Sequence, residues 1–237
     1  AWMDEGFTEY VTTLAENSVK DVDPRFPHKS SYDNYFLLAN SGYEQSQTVH
    51  SDRYDYNFAY GASAYSKGSV FLSQLGYIVG KKNLNKILKR YYQEFKFSHP
   101  NPNDFKRIAE KVSGLELEWY LNEWTRTAHK IDYGIDISLL ENNRTIVLKR
   151  KGRIPMPIEV VVSFSDGSSE MYYIPNDLLF GNKVFSKDVS LLKAWNWVSS
   201  EYSFKVKGAK TITKIEIDPS KRLADHNPSD NLIEIAE

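Results

Sequence analysis

The feature that most constrains the fold is a change of hydrophobic period near Ile131. Upstream, apolar residues recur at helical spacing: Leu84, Ile87, Leu88, Tyr91 and Phe95 fall on one stripe, and Phe105, Ile108, Ala109 and Val112 on another. Gly80 and Gly114 punctuate these segments, and Trp119, Leu121 and Trp124 belong to a further helix. Downstream the period falls to two. Short runs such as Thr145-Ile146-Val147-Leu148, Ile158-Glu159-Val160-Val161-Val162 and Met171-Tyr172-Tyr173-Ile174 are separated by Asn142-Asn143 and Asp166-Gly167 turn signals. Trp195 to Val198, Ser203 to Val206 and Ile212 to Ile217 read as further strands. The expected fold is therefore α+β: a helical lobe over residues 1–130, bundle-like because its connections are short, followed by an antiparallel β-sandwich over residues 131–237.

Composition removes several functions. With 30 basic and 31 acidic residues the chain has no global field that would draw nucleic acid or an anionic membrane. It has no apolar run long enough for a membrane span and no basic-then-apolar leader at Ala1. Zero cysteines exclude disulfides, thiolate nucleophiles and thiolate metal sites, so any metal must be held by His, Asp or Glu. His28, His50, His99, His129 and His226 are scattered, with no H-x-x-x-H pair among them. Near the C-terminus, Asp225-His226 and Asp230 are ligand-type residues, but the stretch from Asp218-Pro219 to Asn231 reads as a polar, solvated tail.

The first ten residues carry the chemistry. As a helix, Met3, Phe7, Tyr10, Val11 and Leu14 form an apolar stripe, while Glu5 and Glu9 share another face. A carboxylate in the first turn is favoured in its ionised, ligand-competent form by the helix dipole. The segment Trp2-Met3-Asp4-Glu5-Gly6-Phe7-Thr8-Glu9-Tyr10 resembles the W-[LM]-[ND]-E-G-[FL]-[AT]-x-[YF] segment of the aminopeptidase N family, zinc metallopeptidases of the gluzincin type. Tyr65-Ser66-Lys67-Gly68-Ser69-Val70, with Tyr65 60 residues beyond Glu5, is similar to that family's Y-x-K-G-[AS]-x motif. Phe97 to Phe105, and Ser113-Gly114 through Trp124, resemble the segment closing its helical half. The likeness covers residues 1 to 130 well and is looser beyond.

The resemblance implies that Glu5 is the third zinc ligand and that the Tyr65 hydroxyl stabilises the tetrahedral intermediate. It makes the helical lobe the C-terminal part of a thermolysin-like catalytic domain. The two His ligands and the catalytic Glu would come from an H-E-x-x-H helix about 18 residues before Glu5, ahead of Ala1. Glu9 is a candidate for orienting a ligand from one turn away, although the family's supporting acid usually falls where this chain has Thr12. Lys67 reads as solvated or salt-bridged, with no chemistry assigned. The implied cofactor is zinc in an intact enzyme and none in this chain alone; the implied partner is a peptide substrate. Self-association through the first helix is a further expectation. A non-catalytic relative acting as a binding or scaffolding module, and the glycyl aminopeptidase type of gluzincin, stay open as alternatives.

Overall fold

The computed structural model describes residues 1–20, 26–136, 144–185 and 188–235. Asp21-Val22-Asp23-Pro24-Arg25-Phe26-Pro27 reads in the sequence as a breaker-rich connection and Ile135-Asp136-Ile137 as a strand; residues 21–25, Ile137 and the Asn142-Asn143 turn lie outside the described residues. The chain divides into two compact units, Ala1–His129 and Lys130–Glu237.

The helical unit runs α1 (Trp2–Val19), α2 (Lys29–Asn40), α3 (Asn57–Gly61), a π-helical segment (Ala62–Lys67), α4 (Gly68–Val79), α5 (Lys81–Phe95), α6 (Pro102–Ser113) and α7 (Glu118–Arg126). Every residue of α4 is buried, so the lobe is built around one central helix rather than as four equivalent ones. Aromatic side chains surround it: Phe71 of α4 meets Trp2 at 5.2 Å and stacks on Tyr120 at 5.0 Å between ring centroids. Two polar groups carried into this core are paired there: Gln74 Nε2 donates to the Tyr32 hydroxyl at 2.7 Å and Tyr120 donates to the Phe71 carbonyl at 2.7 Å. Local signals set the ends of α6: Asn101 and Asp104 form a reciprocal capping box, and Gly114 closes the C-terminus.

The first helix departs from its expected stripe. Trp2, Gly6 and Tyr10 are its buried face, whereas Val11 and Leu14 are exposed. Met3, Phe7 and Val11 instead line a groove of about 730 Å³ whose other wall is Leu88, Tyr91 and Phe95. Close backbone packing at Gly6 turns α1, because the contacting face must contain the residue without a side chain. Of the tyrosines between residues 30 and 57, Tyr32 and Tyr35 belong to the core, and Tyr43 and Tyr56 stand exposed as a pair whose rings are tilted by 55°.

The second unit contains, among the described residues, eight strands in two sheets. The first sheet has the order β1-β2-β6 (Tyr133–Asp136, Thr145–Arg150, Glu201–Lys205) and is antiparallel. The second has the order β5-β4-β3-β7-β8 (Ser190–Leu191, Ser169–Ile174, Ile158–Phe164, Ile212–Ile217, Leu232–Glu234), with only the short β5 parallel to its neighbour. Period-two alternation is clearest in β3, where Ile158, Val160, Val162 and Phe164 are all buried. Its hairpin to β4 turns at Asp166-Gly167, with Gly167 at φ +80°. Tyr172 of β4 and Phe204 of β6 pack at 5.0 Å between centroids, so the two sheets share apolar contacts.

Two expectations are corrected here. Trp195 to Val198 is a turn rather than a strand, because Asn196 Oδ1 accepts from the Val198 amide at 2.9 Å and Asp177 Oδ1 from the Trp197 amide at 3.0 Å, drawing the backbone out of a ladder. The stretch from Asp218 to Asn231 is not a solvated tail: Asp218, Leu223, Ala224, Asp225 and Asn231 are buried, and β8 follows on the sheet edge.

Asp218 gives the strand unit a pH dependence. Its carboxylate accepts from the Leu223 amide and the Ser220 hydroxyl, both at 2.6 Å, yet burial outweighs these bonds and, with Glu159 nearby, pushes its pKa up to about 6. A carboxyl whose folded pKa exceeds its unfolded value near 3.9 contributes stability that is complete below pH ~4 and is lost as pH rises through ~6. The loss is on the order of 2 to 3 kcal/mol. Urea midpoints of the strand unit should therefore fall between pH 4 and 7, and Asp218→Asn should flatten that slope. Asn also tolerates the left-handed φ of +48° at this position. An unchanged slope in the variant would assign the dependence to other groups.

Candidate functional site

The two residues singled out by motif meet through a main-chain contact. A Cβ placed on Gly6 would lie 2.5 Å from the Gly68 Cα, and one on Gly68 would lie 2.7 Å from the Gly6 Cα. Helix α1 and the start of α4 therefore touch backbone to backbone, an approach only glycine allows. Glu5 precedes one of these glycines and Tyr65 lies three residues before the other. The contact brings both side chains to the same place, where the Glu5 carboxylate acts on the Tyr65 hydroxyl.

That proximity sets the electrostatics of the pair. It holds the Tyr65 hydroxyl above the ordinary tyrosine range, and Asp4 adds to the effect, so the group stays protonated and able to donate. Glu5 stands in the first turn of α1, beside Asp4, at the positive end of the helix dipole. Glu9, one turn on, is approached by the Ser31 hydroxyl of α2 at 3.4 Å.

Sequence spacing puts Tyr65 on the stripe of Gly68, Leu72, Leu75 and Val79, and the structure does not. Those four are buried while Tyr65 is 40% exposed. The reason is the π-helical segment Ala62–Lys67, whose wider turn shifts the phase between α3 and α4 and swings Tyr65 out of the core. Single π turns of this kind recur at functional sites.

The segment is held from behind by a buried ion pair. Lys67 Nζ lies 2.7 Å from Glu44 Oε1, with the two side chains only 1% and 2% exposed. The same ammonium donates to the Thr127 carbonyl at 3.4 Å and sits 5.8 Å from the Trp124 ring centroid, while Trp124 Nε1 donates to the Lys67 carbonyl. Gln47 donates to the Ser63 carbonyl at 2.8 Å, and Tyr54 meets the Ser63 hydroxyl at 3.0 Å. Lys67 is thus salt-bridged but not solvated. Glu44 could not be found from sequence, because nothing in its polar surroundings marks it as the partner of a residue 23 positions away.

One further cluster of ligand-type side chains exists among the described residues, Asp132, Asp225 and His226 in the strand unit. Glu5 has no such companions there, so these residues offer a metal at Glu5 a single carboxylate ligand.

Comparison with known proteins gives the family. The model of the peptidase family M1 domain matches residues 1–124, the stretch that contains both motifs. The chain belongs to that family. It is 24% identical over 135 residues to aminopeptidase M1-D of Oryza sativa subsp. japonica, a match spanning 53% of this chain and 14% of that relative. Among solved structures it is similar to aminopeptidase A of Legionella pneumophila, determined in complex with aspartic acid, with a TM-score of 0.53 at 13% identity. That alignment covers 94% of this chain and 23% of the other, and shows that a helical lobe followed by a sheet domain is common to both. Among the described residues no helix is long and apolar enough to cross a membrane.

Proposed function

We propose that this chain supplies the carboxylate metal ligand and the oxyanion donor of a zinc aminopeptidase, acting as part of a longer enzyme that hydrolyses peptide bonds. The observation that carries the reading is the meeting of Glu5 and Tyr65 across the Gly6–Gly68 main-chain contact. A ligand carboxylate and a hydroxyl donor must lie this close if the metal and the developing oxyanion are to share one carbonyl. When bound, zinc would polarise that carbonyl and lower the pKa of a coordinated water.

Glu5 fits the role of third ligand: it is anionic, sits at a helix N-terminus, and is half-buried at the edge of the lobe. The other two ligands, and the general base, would come from an H-E-x-x-H helix outside this sequence. Tyr65, held protonated by its partner, would donate to the carbonyl oxygen as negative charge develops there, a charge the ground state lacks. Glu9 would steady the site from one turn away, with Ser31 as its neighbour. The strand unit is read as the β-sandwich module that follows the catalytic region in such enzymes. Alone, the chain would neither hold zinc at Glu5 nor hydrolyse peptides.

The test uses a protein that carries this chain together with its upstream sequence. Loss of one equivalent of zinc by elemental analysis on Glu5→Gln, together with loss of hydrolysis of aminoacyl reporter substrates, is the expected result. A zinc content unchanged by Glu5→Gln, or an upstream sequence without H-E-x-x-H, would remove the reading and leave a non-catalytic binding module in its place.

A further inference from the structure

The segment between β7 and β8 is built against β1 in a way that a polar connection does not require. Ile131 and Asp225 form a bridge, and the His226 amide donates to the Ile131 carbonyl at 3.1 Å, so Asp132 and His226 are carried on two strands of backbone pinned side by side. Asp225, 2% exposed, is fixed from three directions: its Oδ2 accepts from the Tyr133 amide at 2.9 Å and Asn231 Nδ2 at 3.1 Å, and its Oδ1 from the Asn227 amide at 3.0 Å.

Around this fixed carboxylate the polar groups do not satisfy one another. Asp132 Oδ2 and His226 Nδ1 stand 3.8 Å apart, too far for a hydrogen bond. Among the described residues, Asp132 Oδ1, His226 Nδ1 and Asn231 Oδ1 are all buried with no hydrogen-bond partner. Asn231 is itself only 4% exposed, and its amide nitrogen bonds Asp225, so its carboxamide belongs to the cluster. Charge is equally unbalanced. Asp132, Asp225 and Asp230 bring three carboxylates, and Lys151 is paired with Asp230, leaving two carboxylates against one imidazole. Buried acceptors in this state destabilise a fold unless a cation lies between them.

We propose that Asp132, Asp225 and His226 bind a divalent first-row transition-metal ion and that the ion clips the segment from Asp218 to Asn231 onto β1. Their ligand atoms already lie within 4.8 Å of one another. Tetrahedral ligands at about 2.1 Å from an ion stand about 3.4 Å from one another, so Asp132 and His226 close the site by drawing in on the order of 1 Å around the fixed Asp225. One imidazole nitrogen with two carboxylate oxygens suits zinc, cobalt or manganese better than calcium or magnesium, which take oxygen alone. This revises the expectation that the chain by itself holds no metal, and it does not depend on the role proposed for Glu5.

The experiment is a titration of the chain itself with Zn²⁺, and with Co²⁺ for its visible spectrum, followed by elemental analysis after gel filtration. About one equivalent should bind, with proton release if the imidazole was charged. Asp132→Asn and His226→Gln should each weaken binding at least about tenfold. Neither replaced side chain holds backbone through a described hydrogen bond, and circular dichroism checks that the variants fold. Histidine NMR spectra of the unaltered chain give a second reading without any variant: Zn²⁺ should move the His226 resonances. Metal that shifts another histidine instead, binding unaffected by both variants, or no uptake at about 100 µM free ion would each overturn the proposal.

Discussion

Lys67→Met is expected to destabilise the helical unit by about 3 to 5 kcal/mol, the range seen when one partner of a buried ion pair is removed. The cost comes from Glu44, left as a desolvated carboxylate beneath the π-helical segment, more than from the lost attraction. For the same reason the double variant Lys67→Met/Glu44→Leu should recover most of the loss, because it removes the uncompensated charge and leaves an apolar contact beside Trp124. Hydrogen exchange of the α4 amides in urea reads the unit directly and is unaffected by the strand unit's own transition. A single variant costing under about 1 kcal/mol would mean that water reaches Glu44, in contrast to its 2% side-chain exposure. A double variant no better than the single would show that the pair holds geometry the apolar side chains cannot reproduce.

Tyr65→Phe, made in a protein carrying the upstream catalytic residues, should lower kcat about a hundredfold or more with little change in KM, as removal of one oxyanion donor does. The ring stays, so the aromatic packing is unchanged and the hydroxyl alone is tested. Without its hydroxyl, residue 65 also no longer presents a donor to Glu5, and zinc content measured alongside the kinetics separates the two effects. Full zinc with reduced kcat places the loss in transition-state stabilisation. Activity within about twofold of the parent would return Tyr65 to the role of a helix surface residue.

How much was legible in the sequence depended on how local the determining physics is. Helix ends at Gly80 and Gly114, the alternation of β3 and the turn at Asp166-Gly167 are all set within a few residues, and a linear reading finds them. The motif wording likewise led to Glu5 and Tyr65 and to the family. What escaped was non-local. The phase of Tyr65 depends on a π turn stabilised by Gln47, Tyr54 and Glu44 from a loop with no regular pattern. The burial of Asp225 and Asn231 depends on a partner segment more than 90 residues earlier, to which the Tyr133 amide belongs. Polar residues read singly look solvated; only their distant partners show that they are not.

The contact between Gly6 and Gly68 works as a mechanical stop. Because it is made of main-chain atoms, the separation it enforces does not relax when surrounding side chains are exchanged for larger or smaller ones. The walls around Glu5 and Tyr65 can be remodelled while the gauge between them holds. A library aimed at new substrate preference should therefore vary the exposed surfaces near Tyr60 and the groove beside Phe7, and keep the two glycines constant; a methyl group at either would act as a shim and push the two helices apart.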